Sequence, residues 1–136
     1  MSGGGIIAPY ARALGIRAAA KQEHGGSPIL VIDFDTRIEG RPGVLHGGAI
    51  GGLLETAGYA VVAQTLEQQG GRRLKPINVT VQFLSAGKPK PTYAAARVVR
   101  LGRRVANVVA EAWQDDRDKP IATAVMNIML APVEKP

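Results

Sequence analysis

The sequence contains no cysteine among its 136 residues. This absence excludes a disulfide framework, a thiol nucleophile and a cysteine-ligated zinc site. Only two histidines are present, and neither a Gly-x-Ser-x-Gly sequence nor a P-loop occurs. We therefore expect no metal site and none of the common serine-hydrolase or nucleotide-binding chemistries.

Aromatic residues make up only 4% of the chain and charged residues 21%, whereas 46% are hydrophobic. This length and composition predict one globular domain spanning residues 1–136. The N-terminus lacks the basic start and long apolar run of a secretory signal, which favours a cytoplasmic protein. The one stretch of membrane length, residues 47–66, carries Glu55 near its centre. A buried core helix is the better interpretation of that stretch, since acids within membrane spans are rare.

Negative charge is missing from residues 72–104, which contain nine lysines and arginines and no acid. The remaining residues carry a net charge of −3, from 8 basic and 11 acidic side chains. A one-sided cluster suits a polyanion such as nucleic acid, membrane phosphate or a phosphorylated cofactor. A solvated strand face is the simpler alternative. With few aromatics and no nucleic-acid-binding motif, we expect neither a nucleic-acid nor a membrane partner.

Hydrophobic periodicity predicts the element order α-β-β-α-β-β-β-β. A short helix is expected within residues 1–14, and extended runs over 16–23 and 28–38. In residues 49–68, apolar side chains recur at helical spacing and the other side is small rather than charged, which is typical of a core helix. Four strands follow, over 77–85, 92–101, 105–114 and 121–131. Sequential strands joined by turns predict an antiparallel sheet packed on that helix, an α+β fold.

Three residues, His46, Gly47 and Gly48, open the predicted core helix, and Glu55 follows nine positions after His46. Two glycines leave backbone N–H groups accessible at a helix N-terminus, where the helix dipole adds positive charge, so this turn can stabilise an oxyanion. A carboxylate within a helix otherwise free of charge must be paired, protonated or functional. The alternatives are that His46 only caps the helix and that Glu55 pairs with an arginine of another strand or subunit.

The stretch RPGVLHGGAIGGLLETAGYAVV resembles the signature of hotdog-fold thioesterases of the phenylacetate-pathway type. That signature reads G-x-x-H-G-G, with an acidic residue nine positions after the histidine. The segments INVTVQFLSAGKP and ARVVRLGRRVANVVAEAWQDDRDKPIATA also resemble the family's strands and its Gly-Arg-Arg turn, so the resemblance covers residues 28–131. It implies a hotdog fold, a curved antiparallel β-sheet wrapped around one long central helix. It also implies a homo-oligomer, either a dimer or a homotetramer, with the acyl site between protomers.

The resemblance implies an acyl-CoA thioesterase that hydrolyses an acyl- or aryl-CoA thioester to a carboxylic acid and free CoA. The backbone N–H of Gly47 would polarise the thioester carbonyl, Glu55 would act as nucleophile or general base, and His46 would orient the loop. One subunit's helix would supply Glu55, and the neighbour's loop would supply His46 and Gly47. Coenzyme A would enter only as part of the substrate, with no further cofactor. The residues expected to bind substrate or CoA are Gly48, Gly51, Tyr59, Phe83, Lys88, Lys90, Arg103 and Arg104, the last four of them contacting the CoA phosphates.

The sequence departs from the family pattern at three positions. Many members have aspartate where this chain has Glu55, and asparagine where it has Gly40. Some relatives have a serine near the position of Pro76, which lacks a hydroxyl. The missing polar groups motivate a second hypothesis, a non-catalytic hotdog protein that senses or sequesters an acyl-CoA.

Overall fold

A computed structural model describes residues 8–132. Its helices are α1 (Pro9–Ala13) and α2 (Gly47–Leu66). Its strands are β1 (Ile16–Gln22), β2 (Pro28–Ile32), β3 (Arg73–Phe83), β4 (Thr92–Leu101), β5 (Val105–Trp113) and β6 (Ala122–Ala131). The helix α1 lies within the segment 1–14 where a short helix was predicted, and residues 1–7 of that segment lie outside the described residues.

The six strands form one antiparallel sheet in the order β1-β2-β4-β5-β6-β3. The strand β3, which follows α2 in sequence, therefore pairs with β6 and forms one edge of the sheet. One long helix against a curved antiparallel sheet is the α+β hotdog architecture that the sequence predicted. The prediction of the fold class is confirmed.

Small side chains allow α2 to lie close to the sheet. Along β4, β5 and β6, alternate residues face the helix, and most of them are alanines: Ala94, Ala96, Ala106, Ala110, Ala112, Ala122 and Ala124. On the helix side, Leu53, Leu54 and Val62 are fully buried, each contributing about 1.5–3 kcal/mol of burial free energy. At Gly58 the approach is closest, because an added Cβ would overlap Sδ of Met126. The helix thus has no polar face over most of its length.

Two predicted strand boundaries were wrong. The run 28–38 was expected to be one strand, but β2 ends at Ile32. The carboxylate of Asp35 accepts a hydrogen bond from the N–H of Arg37 at 2.8 Å, which starts a short 3-10 turn instead. The strand predicted to begin at 77 begins at Arg73, because β3 is an edge strand with a bulge beside Pro76 and so tolerates a proline.

Two polar networks connect strands and turns on the outer face of the sheet, opposite α2. The guanidinium of Arg117 donates to Glu23 and to Glu111, each at 2.7 Å, and lies 4.4 Å from the Trp113 ring centroid. It therefore ties the β5–β6 turn to the β1–β2 hairpin. A second network of asparagine side chains crosses three strands, from Asn107 to Asn127 to Asn78 on the edge strand.

No helix within residues 8–132 is long and apolar enough to cross a membrane.

Candidate active site

The N-terminus of α2 is capped by His46. Its backbone is extended, with φ −64° and ψ 135°, and its Nδ1 accepts a hydrogen bond from the N–H of Gly48 at 2.8 Å. The N–H of His46 is itself bonded to the carbonyl of Ile38 at 2.8 Å, so the residue is fixed at both ends. In this conformation the imidazole serves as a helix cap and positions the loop.

The two glycines after His46 keep the first turn of α2 free of side chains. A Cβ at Gly48 would lie 3.0 Å from Nδ1 of His46, so glycine lets the imidazole fold back onto the turn. A Cβ at Gly47 would lie 3.4 Å from Cζ of Phe83, a residue that is 57% exposed. The end of β3 therefore places an aromatic ring beside the helix N-terminus. In the first turn of α2, the N–H of Gly48 is bonded to the His46 imidazole, and those of Ala49 and Ile50 are bonded to the His46 carbonyl. The N–H of Gly47 is therefore the donor that this turn can offer to an oxyanion, with the helix dipole adding positive charge.

A stripe of half-buried residues runs along α2 at four-residue spacing: Gly47, Gly51, Glu55 and Tyr59. On this stripe the hydroxyl of Tyr59 donates a hydrogen bond to Oε1 of Glu55 at 3.0 Å. Burial raises the pKa of Tyr59 well above its ordinary value, and the hydrogen bond to Glu55 and the charge of that carboxylate raise it further. The phenol is thus a donor at neutral pH, and Oε1 is occupied by it.

Gly51 leaves a gap on the same stripe between the helix N-terminus and the carboxylate. An added Cβ there would have no atom within 4 Å. By contrast, a Cβ at Gly52, on the adjoining side of the helix, would lie 2.8 Å from Cδ1 of Leu14, just after α1. The open space is therefore specific to the face that carries Glu55.

Within one chain, Gly47 and Glu55 are far apart. They are eight residues apart on a continuous helix, which corresponds to about 12 Å along the axis. An oxyanion donor and an attacking group each need to lie about 3 Å from the reacting carbonyl. The geometry of a single protomer thus keeps the two groups too far apart to act on one carbonyl together.

The predicted phosphate-binding residues fall into two groups. Lys88 and Lys90 precede β4, whereas Arg103 and Arg104 follow it in the β4–β5 turn. The ten residues of β4 separate the groups by about 30 Å, so one protomer does not bring all four together. Beside Arg103 lies Arg72, which was not among the predicted site residues: its guanidinium donates to the carbonyls of Arg103 and Leu130, at 3.3 and 3.2 Å.

The lysine group lies nearer the helix N-terminus but is partly engaged. The ammonium of Lys90 is bonded to both carboxylate oxygens of Asp115 at 2.8 Å. This bond, with the charges of Lys90 and Lys88, keeps the pKa of Asp115 below its ordinary value. The loop carrying the lysines is attached to the site because the carbonyl of Gly87 accepts from the N–H of Leu45 at 3.0 Å.

The contact between Tyr59 and Glu55 was not predicted from the sequence. Their four-residue spacing on a predicted helix was a sufficient signal, since side chains at i and i+4 are neighbours on a helix surface. In the described part of the chain, no cluster of three or more histidine, aspartate or glutamate side chains is arranged to hold a metal ion.

Comparison with known proteins shows the family to which the chain belongs. Residues 38–129 match the family model described as the acyl-CoA thioesterase N-terminal domain. A phenylacetic acid degradation-related protein from Ralstonia eutropha JMP134 is 30% identical, with a TM-score of 0.76 over 90% of this chain and 91% of that one. A thioesterase family protein from Silicibacter pomeroyi is 26% identical, with a TM-score of 0.76 over 92% and 90% of the two chains.

A Bacillus halodurans protein whose structure contains CoA is 16% identical, with a TM-score of 0.76 over 93% of this chain and 81% of that one, and shares the fold. No curated protein matches the chain. The family match and the fold together define the class: the chain is a thioester hydrolase of the hotdog fold. It belongs to the acyl-CoA thioesterase family.

Proposed function

We propose that this protein hydrolyses an acyl- or aryl-CoA thioester at a site formed by the N-terminus of α2 and Glu55. The N–H of Gly47 polarises the thioester carbonyl and stabilises the oxyanion. Glu55 either takes a proton from water, whose oxygen attacks the carbonyl carbon, or attacks it directly to form an anhydride that water then cleaves. In either case the carbon–sulfur bond breaks, the thiolate takes up a proton, and one water is consumed per carboxylic acid and CoA released.

The observation that carries the proposal is the half-buried stripe on α2. It combines the N–H of Gly47 at the helix start, open space at Gly51 and a carboxylate held by Tyr59. A half-buried acid on a helix without other charge is difficult to explain by stability alone. His46 supports the site as a cap and is not needed as a base.

A second copy of the chain is proposed to complete the site. The edge strand β3 has 11 residues and carries the exposed apolar side chains Ile77 and Phe83, followed by Leu84. Such an edge favours pairing with another strand. A homo-oligomer also removes the problem that Gly47 and Glu55 of one chain are too far apart. The N–H of Gly47 in one protomer can then donate to the thioester carbonyl on which Glu55 of its partner acts.

Two-fold pairing of β3 also suggests where the CoA phosphates bind. Antiparallel pairing about a dyad places the start of one β3 beside the end of the other. The start of β3 adjoins the turn with Arg103 and Arg104, through Arg72. The end of β3 adjoins Gly47, through Phe83. The arginine turn of one protomer would therefore lie near the helix N-terminus of its partner, where Lys88 and Lys90 also are.

The proposed acyl group is aryl or otherwise bulky. In a site between protomers, Tyr59 beside Glu55 and Phe83 beside Gly47 of the partner offer aromatic surface, and Gly51 leaves room next to Glu55. The similarity to a protein described as phenylacetic acid degradation-related supports an aryl group, since phenylacetic acid is an aryl acid. Aryl rings gain from contact with such surfaces beyond the area they bury.

The first experiment measures CoA release from a panel of aryl-, short-chain and long-chain acyl-CoAs. Glu55→Gln should abolish turnover while keeping the fold, because the glutamine oxygen still accepts from Tyr59. Glu67→Gln, at the other end of the same helix and exposed, is the matched control and should remain active. Full activity of Glu55→Gln would refute the assigned role. Binding of CoA esters without turnover by the unaltered protein would instead favour the acyl-CoA-binding hypothesis.

A mixing experiment tests the site between protomers. Glu55→Gln and Gly47→Pro are each expected to be inactive as homo-oligomers. If the two groups come from different chains, hybrid dimers contain one intact site, and random mixing should restore about a quarter of the unaltered activity. If the two groups act within one chain, the hybrids stay inactive.

A further inference from the structure

We propose that Tyr59 is a positioning residue that holds Oε1 of Glu55 and so selects Oε2 as the oxygen that acts. This inference rests on the proposed function of Glu55. It concerns the hydroxyl of Tyr59, whereas a role as part of the acyl pocket needs only the ring.

The hydrogen bond from Tyr59 fixes the position of Oε1 of Glu55 and does not engage Oε2. The donor–acceptor distance of 3.0 Å is that of a normal hydrogen bond. Side chains on a helix lean toward its N-terminus, so Tyr59, one turn further along, reaches back to Glu55 and approaches it from the C-terminal side. This places Oε2 on the side of Gly51, where an added Cβ would have no atom within 4 Å. The acting oxygen therefore faces the part of the stripe that a thioester can enter.

Holding Oε1 matters because a glutamate side chain has three rotatable bonds. On a half-buried helix face without such a partner, it would sample several rotamers, only some of which direct an oxygen at the reacting carbon. Tyr59 reduces this freedom before substrate binds, which is the kind of preorganisation that raises kcat. Neither nucleophilic attack nor general-base action by Oε2 consumes the phenol proton, so the hydroxyl keeps its hydrogen bond through either reaction.

The pocket-wall and positioning roles differ in their dependence on substrate. A wall contacts the acyl group, so its loss alters KM and alters it differently for each acyl group. A hydroxyl that orients Glu55 acts on the step common to all substrates. Loss of this hydroxyl lowers kcat by the same factor for every substrate.

The test is Tyr59→Phe, which keeps the ring and removes only the hydroxyl. Steady-state kinetics are measured on at least three acyl-CoAs that differ in size. We expect kcat to fall about tenfold to a hundredfold, the range for losing one hydrogen bond to a charged group. KM should change little, and the factor should be the same for each substrate. Tyr93→Phe is the matched control and should retain full activity, since Tyr93 stacks on Trp113 with a centroid distance of 6.0 Å on the outer face of the sheet.

Each outcome decides between the roles. An unchanged kcat in Tyr59→Phe, or a change in KM that varies with the acyl group, would overturn the positioning role while leaving Glu55 as the catalytic group. If Glu55→Gln is also fully active, the proposed function fails as well. An unchanged circular dichroism spectrum of Tyr59→Phe, and a urea midpoint well above the denaturant-free assay conditions, are expected to show that the loss of kcat is not a loss of folded protein.

Discussion

The glycines of α2 should respond oppositely to replacement by alanine, depending on what faces them. In a helix interior, glycine to alanine stabilises by about 0.8–1 kcal/mol through backbone entropy. At Gly51 a new Cβ meets no atom within 4 Å, so the whole gain should appear. At Gly58 a new Cβ would lie 2.9 Å from Cε of Met126 and overlap its Sδ. Because Met126 is fully buried, overpacking should cost about 1–3 kcal/mol and outweigh the gain.

The measurement is urea unfolding at one fixed protein concentration, since assembly makes stability depend on concentration. Gly51→Ala should raise the unfolding free energy by about 1 kcal/mol, and Gly58→Ala should lower it by up to about 2 kcal/mol. Combining Gly58→Ala with Met126→Ala should give a smaller loss than the sum of the two, because the methyl group fills part of the new cavity. Destabilisation by Gly51→Ala would refute the inference that this face is open. Stabilisation by Gly58→Ala would refute the inference that Met126 is held rigidly.

Other predictions concern four side chains. Arg117→Met should cost about 1 kcal/mol of stability because that guanidinium joins two carboxylates and covers an indole ring. Arg17→Met, at a single exposed ion pair, should cost less than about 0.5 kcal/mol, and equal losses in urea titrations would contradict this. His46→Ala should lose the helix cap and about 1 kcal/mol, whereas His46→Asn should keep cap, stability and turnover; a hundredfold loss of turnover in His46→Asn would make His46 a base. The raised pKa of Tyr59 favours its protonated form in the folded state. The stabilisation from this raised pKa is complete below the unfolded-state pKa of about 10 and is lost as pH rises toward the folded-state pKa. The free energy of unfolding of the unaltered protein should therefore fall more steeply above pH 10 than that of Tyr59→Phe, and parallel curves would contradict this.

The sequence predicted α2 and β4–β6 closely because their periodicities are long and their ends are marked by glycine or acidic turns. It failed where a side chain competes with the strand, at Asp35, and where an edge position tolerates Pro76. The placement of the candidate site residues on α2 was predictable for the same reason. His46, Gly47 and Glu55 lie on one predictable helix, so their order and spacing were readable.

Relations between elements were harder to predict. The lysines before β4 and the arginines after it were expected to act together, but the length of the strand between them keeps them apart in one protomer. That length was already implied by the predicted strand at 92–101. The sheet order, with β3 beside β6 at the edge, depends on long-range pairing that local periodicity does not encode.

The role of the Gly47 N–H can be tested with two substitutions that differ in one hydrogen-bond donor. Gly47 is the first residue of α2, where proline is well tolerated because its missing N–H has no partner within the helix. The residue before it, His46, already has the extended backbone that proline requires, with φ −64° and ψ 135°. Gly47→Pro should therefore remove the N–H without moving the helix, and Gly47→Ala should keep it, with its Cβ at 3.4 Å from Phe83.

If this N–H stabilises the oxyanion, Gly47→Pro should lower kcat about 100- to 1,000-fold, the cost of one such donor. Gly47→Ala should stay within about threefold of the unaltered protein, because the group that acts in the transition state is unchanged. Circular dichroism and the urea midpoint check that both variants fold alike. Equal, small effects of the two substitutions would refute the role of this N–H, whereas equal, large effects would indicate that the corner between Gly47 and Phe83 has no room for any side chain.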